Sequence, residues 1–313
     1  MDFRQLGRSP LRIAPLVLGT NVFGWNVDAK TSHAILDAFV DAGFNAIDTA
    51  DSYSRWAPGH VGGESETIIG KWLKESGKRD KVVICTKFGE DMGEGRSNRK
   101  DYMQRAATAS LRRLQTDYID LYQTHFDDEV TPVEETMQGF AQLIGEGKVR
   151  AAGASNVSPQ RFKAALDASK KRGLPRYESL QPLYNLSDRN EFESGYAEIC
   201  KREQIGVIPY YGLAAGFLTG KYKTAADAEK NPARGGRLKK YINPRGTRIL
   251  QATGAVADKH GASYAQVALA WLIAKVTAPI VSVTSLEQLA DIIKAPQLAL
   301  TAADIAALDK AGG

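Results

Sequence analysis

Short apolar runs alternate with longer stretches in which apolar side chains recur every three or four positions, from one end of the 313-residue chain to the other. Runs of the first kind predict strands, stretches of the second kind predict amphipathic helices, and their regular alternation predicts a parallel sheet. Eight strands are expected, at 16–18, 46–48, 82–87, 119–123, 149–154, 179–181, 207–210 and 280–283. Between them lie helical patterns such as TSHAILDAFVDAG, ETIIGKWLKESG, RKDYMQRAATASLRRL, VEETMQGFAQLIGEG and SPQRFKAALDASKKRG, several of them ending in glycine. Ser158 before Pro159 reads as an N-cap with proline in the first turn, and Gly173 as the end of that helix.

Eight strand–helix units in a chain of this length predict an α/β fold of the (β/α)8 TIM-barrel type, with a doubly wound sheet as the alternative. The barrel is preferred because no linker or shift of composition divides residues 1–313, which are read as a single domain. Ahead of the first strand, FRQL and LRIA flank the turn-rich GRSP, which predicts a β-hairpin able to plug the amino-terminal end of the barrel. Two features break the rhythm: a long segment over 212–245, and extra carboxy-terminal helices in SYAQVALAWLIAKV and TAADIAALDKA. A long loop after the seventh strand is placed to cover a site at the carboxyl ends of the strands.

Composition narrows the class. A hydrophobic content of 43% and a charged content of 25% fit a globular chain with a sizeable core and exclude disordered and fibrous classes. The charged amino terminus lacks a secretory pattern and no apolar run approaches the ~18 residues of a membrane span, so a cytoplasmic protein without a membrane partner is expected. Cys85 and Cys200 are too few for a disulfide framework. The excess of 41 basic over 36 acidic residues favours anionic ligands. The basic clusters at 170–172 and 234–240 lack the aromatic interleaving of a nucleic-acid reader, and the second, beginning at Arg234, falls where a cofactor could be touched. His33, His60 and His260 read as surface or packing residues, and no metal-ligand spacing occurs.

The polar residues at successive strand ends carry the chemistry. Asp48 ends the second strand, Lys87 the third, and His125 lies just beyond the fourth, while Tyr53 follows Asp48 by five positions. With a period of two, Val83, Cys85 and Lys87 share one face, as do Ile119, Leu121, Gln123 and His125, so both ionisable groups point into the barrel mouth. A phenol with a pKa near ~10 is a poor acid at neutral pH, and an adjacent ammonium would move it downward. Lys87 can supply that charge, Asp48 can hold Lys87, and His125 can orient a carbonyl oxygen while Tyr53 delivers a proton.

These segments, GFNAIDTADSYS, GGESETIIG, VVICTKFG and LRRLQTDYIDLYQTHFDD, resemble the successive signatures of the aldo-keto reductases, and the resemblance runs from Gly19 and Thr20 to beyond the eighth strand. It implies a barrel that binds an extended nicotinamide dinucleotide without a Rossmann domain and reduces aldehydes or ketones by hydride transfer. It also implies cofactor contacts from Gly19, Thr20 and Asp48, a carboxamide grip from Ser155, Asn156 and Gln181, and a nicotinamide stacked on Tyr210. Tyr211, Gly212, Leu213, Gly216 and Lys221 match the family's pyrophosphate-wrapping loop, and Ser282, Thr284, Gln288 and Asp291 fall where the adenosine end is held. Where relatives often carry lysine and arginine for the 2′-phosphate, this chain has Ser282 and Gln288. Channel-β-subunit-like members with a hydroxyl and a glutamine there nonetheless take NADP(H), so NADP(H) is expected, with NAD(H) as the alternative.

Trp25, Trp56, Phe88 and Phe126 adjoin the signature residues and are expected to line an apolar substrate pocket, with GEGRSN at 93–98 as its flexible cover. The partner expected is a small-molecule carbonyl or alcohol. The competing readings are a cofactor-binding regulatory module with little turnover, and a barrel hydrolase using Asp48 and His125. The complete tetrad favours the reductase. Substrate identity, direction, stereochemistry and oligomeric state are not legible in the residues.

Overall fold

The structure is a computed structural model that describes residues 2–229 and 235–313; Arg234 of the second basic cluster lies outside them. The amino terminus forms the expected hairpin, β1 (Arg4–Gln5) against β2 (Arg12–Ile13), with Arg4 opposite Ile13 and Gln5 opposite Arg12. Eight parallel strands follow: β3 (Val17–Gly19), β4 (Ala46–Asp48), β5 (Val83–Phe88), β6 (Ile119–Thr124), β7 (Val149–Ser155), β8 (Tyr177–Gln181), β9 (Gly206–Val207) and β10 (Ile280–Val281). From β3 to β9 each pairs with the next in chain order, and β10 returns to pair with β3. Backbone bonds from Thr277 and Ala278 to the Val207 carbonyl, and from Ile280 to that of Pro209 (2.9 Å), close the ring between β9 and β10. The fold is a (β/α)8 barrel.

The helices are α1 (Ala29–Asp41), α2 (Glu64–Ser76), α3 (Lys100–Leu114), α4 (Val133–Gly145), α5 (Pro159–Arg172), the short α6 (Asn190–Gly195) and α7 (Ala197–Glu203), α8 (Ala225–Glu229), α9 (Gly235–Leu238), α10 (Pro244–His260), α11 (Tyr264–Lys275), α12 (Leu286–Ile292) and α13 (Ala302–Gly312). Local chemistry sets their ends. Ser158 accepts from the Arg161 N–H ahead of Pro159, and Gly173 closes α5 with φ +65°. Ser263 with Gln266 and Thr301 with Asp304 form capping boxes at α11 and α13. Strand β9 is shorter than the 207–210 expected because Pro209 has no N–H to give the ladder, although the Ile208 and Tyr210 amides still bond Leu180 and Pro182.

Strand alternation divides the buried residues in two. Ile47, Ile84, Phe88, Tyr122 and Ala154 face outward and pack with the helices in the larger core. Val17, Ala46, Val83, Cys85, Leu121, Ala151, Ile208 and Ile280 face the barrel axis and form a second core with Leu6, Leu11 and Ile13 of the hairpin region. The hairpin is therefore a plug that completes the interior at the amino-terminal end. Above this apolar layer the same faces carry polar side chains, and Gly153 keeps room for them: a Cβ there would meet Ser179 Oγ at 2.3 Å and Gln123 Cγ at 2.9 Å.

Leu6 is fully buried in this plug. Leu6→Ala is expected to lower the unfolding free energy by about 2–5 kcal/mol through lost burial and a residual cavity. Urea titration measures it, and a change within the scatter of surface substitutions would show that the hairpin does not hold the barrel floor.

Candidate active site

At the carboxyl end of the barrel, Lys87 is wholly buried and Asp48 is 1% exposed. The Lys87 ammonium donates to Asp48 Oδ2 at 2.6 Å, to the Thr49 carbonyl at 2.7 Å and to the Tyr53 hydroxyl at 2.8 Å. An ammonium has three donors, and all three are used. Tyr53 in turn donates to Asp48 Oδ2 at 3.3 Å. The other carboxylate oxygen, Oδ1, accepts from the Gln181 amide at 2.9 Å and the Gln123 amide at 3.3 Å. The structure thus joins Asp48, Tyr53 and Lys87 directly, and sets the His125 ring 6.0 Å from the Tyr53 ring, centre to centre, at 72°. The His125 N–H bonds the Phe88 carbonyl at 2.7 Å, its carbonyl accepts from the Asn156 amide at 2.8 Å, and Ser52 Oγ lies 3.4 Å from Nδ1.

Electrostatics differ from the expectation at one point. Burial first, and then the adjacent Asp48 carboxylate, push the Tyr53 phenol well above its ordinary value of 10.0. The ammonium was expected to lower it, but Asp48 touches the same phenol and opposes that effect. Burial, followed by the positive charges of Lys87 and Arg96, holds His125 well below its ordinary 6.5. At neutral pH the site contains a neutral imidazole and a protonated phenol.

Several residues expected to touch the cofactor also brace the interior. Thr20 is fully buried and gives its hydroxyl to the Asp48 carbonyl, and Gly19 sits where a Cβ would meet Ser282 Oγ at 2.7 Å. Ser155 and Gln181 are buried as well: Ser155 donates to the Gln181 carbonyl at 2.8 Å, and Gln181 turns its amide to Asp48. Gly212 is packed against Leu272 and the Ile280 carbonyl. Asp291 engages both carboxylate oxygens with Ser263 and Gln266 at the start of α11. A different set is open. Asn156 is exposed, and its Oδ1 accepts from the Tyr210 hydroxyl at 3.1 Å. Tyr211, Ala214, Ala215 and Gly216 all have positive φ, in a tight turn where the Ala214 and Gly216 amides bond the carbonyls of Tyr211 and Leu213, with Lys221 exposed nearby in the chain. Ser282 donates to Asn21, and Gln288 Oε1 accepts from the Thr284 N–H at 2.9 Å.

Among the expected pocket aromatics, Trp25 and Trp56 meet edge to face at 5.6 Å and Trp56 lies 6.1 Å from Tyr53, while Phe126 lies 4.8 Å from His125 with Arg96 over its ring. Phe88 does not belong to this set. It follows the inward-facing Lys87, so it points outward, fully buried against Tyr122 and Phe140. Two residues were missed by the sequence reading. Gln123 was noted on the His125 face without a role, although its period-two placement already brought it toward Asp48; Arg96, in the loop that packs beside Phe126, carried no such signal. Among the described residues no group of His, Cys, Asp or Glu could hold a metal ion, and no helix is long and apolar enough to cross a membrane.

The barrel and this site agree with the comparisons. The Aldo/keto reductase family model matches residues 15–312, and the chain belongs to that family. It is 34% identical over 310 residues to the uncharacterized oxidoreductase YrpG of Bacillus subtilis (strain 168), covering 96% of this chain and 92% of that protein. It is 30% identical over 331 residues to Protein tas of Escherichia coli (strain K12), covering 96% and 94% respectively. With the L-glyceraldehyde 3-phosphate reductase of Escherichia coli (strain K12) it shares 30% over 324 residues, covering 99% and 92%. The chain is accordingly an oxidoreductase of a family that uses nicotinamide cofactors.

Because the folded His125 pKa lies below 6.5, the unfolded chain takes up that proton first as pH falls. The corresponding stability is present above 6.5 and is lost progressively below it. The imidazole signals of His125, assigned by comparison with His125→Gln, are expected to stay those of the neutral ring through 6.5. A midpoint at or above that value would contradict the site's electrostatics.

Proposed function

We propose that the chain reduces an aldehyde or ketone to an alcohol, reversibly, with Tyr53 as the proton donor. A nicotinamide, when bound, would supply the hydride chemistry at the carbonyl carbon; the protein's residues manage the oxygen. The observation that carries the reading is the three-way engagement of Lys87 with Asp48, the Thr49 carbonyl and Tyr53. As negative charge develops on the substrate oxygen, the Tyr53 proton moves to it, and the phenolate left behind is met at once by an ammonium 2.8 Å away. His125, held neutral, donates through the nitrogen that Ser52 does not face, and so fixes the oxygen between itself and Tyr53. In the oxidative direction the phenolate accepts an alcohol's proton.

Asn156 and Tyr210 fit a planar carboxamide-bearing ring, and the backbone of 211–216 with Lys221 fits a pyrophosphate. For the adenosine end we favour NADP(H): Ser282, Thr284 and Gln288 are neutral hydrogen-bonding groups, and the carboxylate of Asp291 is engaged by Ser263 and Gln266, while NAD(H) is the alternative. A carbonyl substrate agrees with the printed name of the glyceraldehyde-phosphate relative. Trp25, Trp56 and Phe126 form the walls that would receive it, and the chain is read throughout as one catalytic unit.

Tyr53→Phe is expected to keep cofactor affinity and lose roughly 10²–10⁴-fold in the rate of carbonyl reduction, as removal of a general acid does. The assay follows nicotinamide absorbance over a panel of aldehydes, ketones and sugars with NADPH and NADH side by side; equal rates for wild type and variant would instead favour a cofactor-binding module. Gln288→Glu places a carboxylate beside Thr284 and is expected to weaken NADPH binding at least about tenfold while sparing NADH. Equal effects on both cofactors, measured by fluorescence titration, would remove Gln288 from the 2′-phosphate site.

A further inference from the structure

Outside the tetrad, the loop after β8, the 240–243 stretch and the start of α10 line a cavity of about 90 Å³. It is lined by Ser187, Asp188, Lys240, Tyr241, Asn243 and Arg245 together with the first turn of α10. This volume is several times what one water needs and well below the ~300–1,000 Å³ of a cofactor or drug-sized site.

Three independent features of its wall point to the same ligand. Ser187 is 8% exposed, and its hydroxyl has no hydrogen-bond partner. A buried hydroxyl without a partner carries an uncompensated desolvation cost, so a ligand oxygen that accepts from it is favoured. Arg245 donates to the carbonyls of Ser187, at 2.9 Å, and Gly312, and among the described residues it has no carboxylate partner. Its charge therefore stands open. Helix α10 is 17 residues long, and the positive end of its dipole faces the same space, although Asn243 Oδ1 already accepts from the Gly246 N–H and Pro244 brings no N–H. The one carboxylate in the wall is already answered: Asp188 is paired with Lys240 at 3.2 Å and accepts from Tyr241 at 2.6 Å and Asn185 at 3.0 Å.

We infer that this cavity binds a small tetrahedral oxyanion. The anion lies between Arg245, the Ser187 hydroxyl and the first turn of α10, with Lys240 cancelling the repulsion of Asp188. Its occupancy braces the 238–245 stretch against the β8 loop. Asn185, which touches Asp188, also donates to the Tyr211 carbonyl at 3.0 Å, so the brace adjoins the first residue of the proposed pyrophosphate segment.

The test titrates the full chain with inorganic phosphate at constant ionic strength, by calorimetry and by thermal unfolding, with chloride as the control. One phosphate per chain is expected, raising the melting temperature. Ser187→Ala removes a hydroxyl that has no partner, so it is expected to leave the phosphate-free melting temperature unchanged and to weaken phosphate binding about tenfold, the loss of one bond to a charged group. Lys240→Gln, which frees the Asp188 charge, is expected to abolish binding. The inference is overturned if phosphate does no more than chloride, or if both variants bind as wild type does. It is equally overturned if Lys221→Ala abolishes binding, because the anion would then sit on the proposed cofactor segment.

Discussion

The buried Lys87 ammonium is the constraint from which the rest of the site follows. Taking such a charge out of water is tolerated only where geometry and hydrogen bonding compensate it fully. Here Asp48, the Thr49 carbonyl and the Tyr53 hydroxyl occupy its three donors. Asp48, equally buried, accepts from Lys87 and Tyr53 on one oxygen and from Gln181 and Gln123 on the other. Four strands thereby contribute to one closed network. Removing either Asp48 or Lys87 leaves a buried charge unanswered, which costs about 3–5 kcal/mol in comparable cases. Tyr53 can be replaced more safely than Asp48 or Lys87, because a hydroxyl is not a charge.

That network needs a barrel whose interior changes character along its axis. On β5 the inward sequence is Val83, Cys85, Lys87, and the first two belong to the same apolar cluster as Leu6, Leu11 and Ile13. The plug therefore does more than close an end. It keeps water from the lower interior, and so raises the cost of leaving any polar group above it unpaired. Gly153 on β7 completes the arrangement, since a larger residue would displace Ser179 or Gln123.

Much of this was legible in the residues because it rests on short-range rules. Period-two alternation was enough to bring Lys87 and His125 inward, and capping chemistry to end α5 at Gly173. The same rule, applied one residue further, places Phe88 outside the barrel, where proximity to a signature segment had suggested the pocket. Thr20, Ser155, Gln181 and Asp291 illustrate another limit. A motif tells which residues lie near a site but not which way each side chain turns, and these turn to Asp48, to neighbouring strands or to α11. The burial that decides between holding a ligand and holding another side chain is a property of the assembled barrel.

Tyr53 shows why the distinction matters for chemistry. From the sequence, an adjacent lysine suggested a phenol made more acidic at rest. In the structure the same lysine is shared with a carboxylate that also touches the phenol, and burial adds to the carboxylate's effect, so the resting proton is held more tightly. For a donor, this is the useful direction: the phenol stays protonated across the pH range in which an imidazole or thiol would titrate. The contribution of Lys87 then falls on the phenolate that appears only as the proton leaves, and an interaction that strengthens only as the transition state is reached accelerates the step, whereas one already present at rest does not. The ammonium need not lower the resting pKa to serve the reaction; it has to be in place, desolvated and already oriented, when the charge arrives.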